Sequence, residues 1–68
     1  MWPPVDERQM ELFFQSFTTK FGVSFEPECE LDKVARKYVK ERLNDGRSRE
    51  YHLMKTWELI NNHLLKNV

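Results

Sequence analysis

The feature that most constrains this chain is a series of large apolar residues at helical spacing near its N-terminus. Its members are Met10, Phe13, Phe14, Phe17 and Phe21. Their spacing of i, i+3, i+4, i+7 and i+11 places them on one face of an α-helix. Asp6 is suited to accept hydrogen bonds from the first backbone amides, and Gly22 to adopt the left-handed conformation that ends helices. We therefore predict a first helix at about 6–21.

Two further stretches show the same period. In a second helix at about 31–44, the apolar stripe comprises Leu31, Val34, Ala35, Tyr38 and Val39, with Leu43 at its margin. Ser48 is a candidate N-cap for a third helix at about 49–67. Its inward line is predicted to comprise Leu53, Trp57, Ile60 and Leu64.

The segment between the first two helices is predicted to be an extended connector at 22–30, because Pro27 interrupts any helix there. Val23 and Phe25 are expected to pack back on the helices. No repeat or flexible linker divides the 68 residues, which have room for one core. The fold prediction is an all-α, small three-helix bundle that forms a single domain over 1–68.

The residues that catalysis or metal binding requires are not arranged for either. Cys29 is the only cysteine, so no internal disulfide can form, and it has no patterned histidine beside it. His52 and His63 are predicted on one helix about 16 Å apart, too far for joint chelation. With two glycines there is no phosphate-binding loop. We expect no enzyme activity, no metal and no cofactor.

Export and membrane signals are not apparent in the sequence. The longest apolar run is a few residues, and the N-terminus lacks the charged and apolar regions of a signal peptide. We therefore expect no membrane partner and an intracellular location, cytoplasmic or nuclear.

Charge is distributed unevenly although the net charge is zero. Residues 1–32 carry seven carboxylates and two cations, and residues 33–55 carry eight cations and three carboxylates. On the second helix, four cations share one face opposite the apolar stripe: Lys33, Arg36, Lys37 and Lys40. Further candidate contacts for a partner or for phosphate are Arg47, Arg49 and Lys55.

This basic face has four interpretations that the sequence leaves open. It can follow a nucleic-acid backbone, meet an acidic protein, meet the acidic half of a neighbouring copy, or simply keep the helix solvated. The order of helix, turn and helix resembles a helix-turn-helix in a generic way. In that interpretation four residues point outward near the start of the third helix: Arg49, His52, Lys55 and Thr56.

Two leucines lie off the apolar stripes and are predicted to be exposed. They are Leu12 on the first helix and Leu59 on the third. Trp2, held on an extended arm by Pro3 and Pro4, is a third candidate for apolar contact with a partner. The leading hypothesis is a non-enzymatic helical module that binds a protein partner, with self-association as a variant. The alternative is a nucleic-acid-binding domain.

Overall fold

The computed structural model describes residues 3–66, which form three α-helices. They are α1 (Glu7–Phe21), α2 (Glu30–Arg42) and α3 (Arg49–Lys66). The predicted all-α three-helix bundle is confirmed. The molecule extends over 36 × 22 × 21 Å, and α2 and α3 form its closest helix pair.

Local sequence signals set both ends of α1. The Asp6 carboxylate accepts from the Gln9 backbone N–H (2.8 Å), and the Gln9 side-chain oxygen accepts from the Asp6 N–H (3.2 Å), which is a capping box. Val5 and Met10 occupy the positions of a hydrophobic staple beside it, and both pack in the core. At the other end Gly22 is left-handed, with φ of 69°, and its N–H donates to Thr18 O.

The residue that caps the start of α2 was not predicted from the sequence. Cys29 is the N-cap, and its Sγ accepts from the Asp32 backbone N–H at 3.3 Å. Cysteine is not among the usual capping residues, so composition gives no signal for this role. In the connector before it, Val23 and Phe25 are partly buried against the core, as expected.

The second helix ends at Arg42, two residues earlier than predicted. Asn44 and Asp45 hydrogen-bond outside the helix, as such residues often do. The Asn44 amide donates to the carbonyl oxygens of Pro3 (3.2 Å) and Pro4 (3.3 Å). Asp45 accepts from the Arg47 backbone N–H at 3.0 Å. Side chains of the turn at 43–48 therefore hold it in place, through one hydrogen bond within the turn and two to the N-terminal segment.

The core lies where the three helices meet. Its buried apolar residues are Met10, Phe13, Phe17, Ala35, Val39, Leu53 and Ile60. Around them pack partly buried residues, among them Phe14, Phe21, Tyr38 and Trp57. The predicted stripes of α1 and α2 thus face inward.

The inward face of α3 differs from the prediction. Ser48 caps the helix as expected, its Oγ accepting from the Tyr51 N–H at 3.1 Å. However, Leu64 is 48% exposed, whereas His52 and Thr56 are buried beside Leu53 and Ile60. Thr56 satisfies its hydroxyl by donating to His52 O at 2.7 Å. Polar side chains can occupy a core when they have hydrogen-bond partners there. The apolar spacing therefore predicted the wrong inward face for this helix.

Candidate functional site

The four cations predicted on α2 share one helix but are engaged differently. Arg36 Nε donates to both Asp32 carboxylate oxygens, at 3.1 and 3.0 Å, and its guanidinium lies 5.4 Å from the Phe14 ring centroid. Lys33, Lys37 and Lys40 are exposed and form no ion pair with any residue within 3–66. Three lysines are therefore available to an external anion.

The remaining predicted cations belong to the turn and α3, and two of them gather on one tyrosine. The Arg47 guanidinium donates to the Tyr51 hydroxyl and lies 4.6 Å from that ring's centroid. Lys55 lies 5.7 Å from the same ring and pairs with Glu58 at 3.4 Å. Arg49 is exposed. Arg47 and Lys55 thus already have partners within the molecule.

The position of His52 contradicts part of the helix-turn-helix interpretation. That interpretation required His52 and Thr56 to point outward, but they are 1% and 0% exposed. Neither side chain can reach a base edge from this position. The prediction for these two residues was wrong, because polar side chains on α3 were expected to face solvent and these two are in the core.

His52 does not face a nucleic acid but belongs to a buried polar network. The Tyr38 hydroxyl lies 3.0 Å from His52 Nδ1, and His52 Nε2 lies 2.8 Å from Asp45 Oδ1. An ionised carboxylate only accepts, so Nε2 carries a proton and donates to Asp45. In neutral His52, Nδ1 then accepts from the Tyr38 hydroxyl. This network joins α2, the turn and α3, and its hydrogen bonds were not predicted from the sequence.

The network shifts the acidity of its outer members. Burial raises the pKa of the Tyr38 hydroxyl above its ordinary value, and the neighbouring Tyr51 and Asp45 raise it further. For Asp45, burial also raises the pKa, but hydrogen bonds from the Arg47 N–H and the His52 ring, with the charges of both residues, lower it more. The pKa of Asp45 therefore lies below its ordinary value of 3.8.

The lowered pKa of Asp45 predicts that its contribution to the stability of the fold is lost at acid pH. A carboxyl whose pKa is depressed by folding stabilises the native state above its unfolded pKa, and this contribution is lost as pH falls through the folded pKa. We expect the stability difference between wild type and Asp45→Asn to be full at about pH 5 and to shrink below about pH 4. Urea unfolding at about pH 5 and pH 3 measures it. An equal difference at both pH values would contradict this assignment.

The predicted apolar contacts have different environments. Leu12 is 44% exposed, as expected, and lines a groove of about 650 Å³ between α1 and α3. Leu59 is partly buried, so the expectation of an exposed side chain was wrong. Trp2 lies outside the described residues. Within residues 3–66, the other exposed large apolar residues are all on α3: Met54, Leu64 and Leu65.

Residues 3–66 carry neither a metal-ion cage nor a membrane-spanning helix. That part of the chain holds no group of three or more histidine, cysteine, aspartate or glutamate residues placed to bind a metal ion. It also contains no helix with the length and apolar character needed to cross a bilayer. Comparison with protein-family models, curated proteins and solved structures gives no match for this chain.

Proposed function

We propose that this chain is a non-enzymatic interaction module that binds a protein partner through an exposed face of α3. The observation that carries the proposal is a strip of large apolar side chains, called the α3 strip below. Its members are Met54, Trp57, Leu64 and Leu65. They lie at i, i+3, i+10 and i+11, which places them on one side of the helix.

The exposure of the α3 strip supports a binding role. Met54 is 47% exposed, and Leu65, at 72%, is the most exposed large apolar residue of the described chain. Trp57 is partly buried, with its ring stacked on Phe21 at a centroid distance of 4.7 Å. Covering apolar surface releases about 25 cal/mol per Å². Exposed large apolar side chains that share one side of a helix form the kind of surface that protein partners cover.

Photo-crosslinking tests this proposal. A benzophenone amino acid is placed at position 64 and irradiated in extracts of cells that express the chain. We expect discrete protein adducts, lost when Leu65→Asp is added. The matched control is Asn62→Asp, which adds the same charge at an exposed position off the strip and should leave the adducts intact. Adducts that persist with Leu65→Asp, or the absence of any protein adduct, would overturn the proposal.

Self-association is the variant in which the partner is a second copy. Sedimentation of the purified chain over a range of concentrations distinguishes it. A mass that rises with concentration and returns to that of a monomer with Leu65→Asp would identify the α3 strip as a homotypic contact. A monomer at all concentrations would exclude the homotypic variant.

Nucleic-acid binding is the second candidate, and one observation favours it. Lys33, Lys37 and Lys40 stay unpaired within the described chain and follow one helix face. Phosphate contacts would make binding to DNA or RNA weaken steeply with salt. We expect Lys37→Glu with Lys40→Glu to remove any such binding and to leave helical content unchanged. Titrations at two salt concentrations measure it, and no binding at low salt would eliminate this candidate.

A further inference from the structure

A groove runs between α1 and α2, on a side of the molecule that the α3 strip does not use. One part, of about 760 Å³, is lined by Phe14 and Phe25 among other residues. A second part, of about 480 Å³, is lined by Val5 and Met10. Glu7 and Arg36 border both parts, so the two are adjacent.

The two walls of this α1–α2 groove carry opposite charge. Glu7 and Glu11 line the α1 side. The α2 side is lined by Arg36, Lys37 and Lys40, and by Asp32, whose carboxylate is paired with Arg36. No ion pair joins the two walls within residues 3–66, since Arg36 pairs with Asp32 of its own helix. Complementary charges therefore face each other across the groove, and Arg36 reaches from α2 over the Phe14 ring on its floor.

The groove has an apolar floor between these walls. Val5, Phe14 and Phe25 are partly buried, so each keeps some surface open. The rings of Phe14 and Phe25 meet edge to face at a centroid distance of 5.9 Å, which fixes the floor at one end. A partner with an apolar stripe can bury this surface while its flanks meet the two charged walls.

We propose that the α1–α2 groove docks an amphipathic α-helix of a protein partner. Its apolar stripe covers the floor, acidic residues on one flank meet Lys37 and Lys40, and basic residues on the other meet Glu7 and Glu11. The groove spans α1 from Glu7 to Thr19, about 18 Å at the helical rise, which accommodates about three turns. Packing a helix stripe into such a groove is a common recognition mode.

The wall charges also set the direction in which the helix lies. Turning a docked helix end for end, with its apolar stripe still on the floor, exchanges its left and right flanks. A helix whose acidic and basic flanks differ therefore docks in one direction only. A nucleic acid fits less well, because the carboxylates of Glu7 and Glu11 repel phosphate next to the lysines.

Designed peptides test the groove without knowledge of the natural partner. The probe is an 18-residue fluorescein-labelled helix with leucines at i, i+3, i+4 and i+7, glutamates on one flank and lysines on the other. Three comparison peptides keep the leucines and carry glutamine, glutamate or lysine on both flanks. Fluorescence anisotropy at low salt should show the mixed-flank peptide binding about tenfold more tightly than each of them. Equal affinities would overturn the proposal.

Charge reversal in the protein locates the site. Lys37→Glu with Lys40→Glu should weaken binding of the mixed-flank peptide about tenfold or more. The matched control is Lys33→Glu with Arg42→Glu, which changes net charge equally on exposed positions of α2 that do not line the groove. It should change affinity less than about twofold. Equal losses in both double variants would mean that attraction is nonspecific and would overturn the proposal.

Two further measurements separate this site from other outcomes. Leu65→Asp should leave peptide binding unchanged. The proposal for the groove and the proposal for the α3 strip can therefore be refuted independently of each other. Single-stranded RNA and duplex DNA are titrated against the same double variants. Tighter binding of either nucleic acid than of the mixed-flank peptide, lost with Lys37→Glu and Lys40→Glu, would assign the lysines to phosphate and overturn helix docking.

Discussion

Replacing Phe17 by alanine is expected to lower the free energy of unfolding by about 3 to 5 kcal/mol. The Phe17 ring is fully buried, and its centroid lies 4.8 Å from that of Phe21, 5.6 Å from Phe25 and 6.3 Å from Trp57. These contacts join α1, the connector and α3. Truncation therefore removes the buried ring and leaves a cavity between three parts of the chain.

Such a loss is large for a domain of this size. Small domains bury a modest share of their surface and are correspondingly marginal. We expect Phe17→Ala to be largely unfolded at 37 °C, as measured by circular dichroism and urea denaturation. The control is Leu12→Ala, at an exposed position of the same helix, which should change stability by less than about 0.5 kcal/mol. A loss below about 1 kcal/mol for Phe17→Ala would contradict the packed aromatic cluster.

Replacing His52 by alanine is expected to cost about 2 to 4 kcal/mol. Its ring is 1% exposed and hydrogen-bonds at both nitrogens, to Tyr38 on α2 and to Asp45 in the turn. Truncation removes the packing of the ring and deprives both neighbours of a partner. Because partly buried polar groups without a partner are costly, the loss exceeds that expected from the ring's volume alone.

A double-mutant cycle shows whether the network is responsible. Tyr38→Phe removes only the hydroxyl, so its cost in the wild-type background should exceed its cost in the His52→Ala background. Met54→Ala, at an exposed position of the same helix, should be nearly neutral. Equal costs of Tyr38→Phe in the two backgrounds would show that the hydroxyl and the imidazole do not interact. Urea unfolding of the four proteins supplies the measurement.

The candidate surfaces show which features of this protein can be predicted from its sequence and which cannot. Spacing correctly placed Lys33, Lys37 and Lys40 on one exposed side of α2, because helical period alone determines which residues share a face. It did not reveal that Arg36 pairs with Asp32 and lies over the Phe14 ring. The opposite walls of the α1–α2 groove also depend on how two helices pack, which no local pattern specifies. The protein-partner and nucleic-acid hypotheses remain predictions.

The sequence by itself determined the three helices and most of their limits. Periodic apolar residues, the Asp6 cap, the left-handed Gly22 and the Ser48 cap act within a few residues of one another, so they can be recognised locally. Only the tertiary structure decided the rotation of α3, which buries His52 and leaves Leu64 exposed. A polar side chain enters a core when distant residues supply its hydrogen bonds, and those residues become neighbours only on folding.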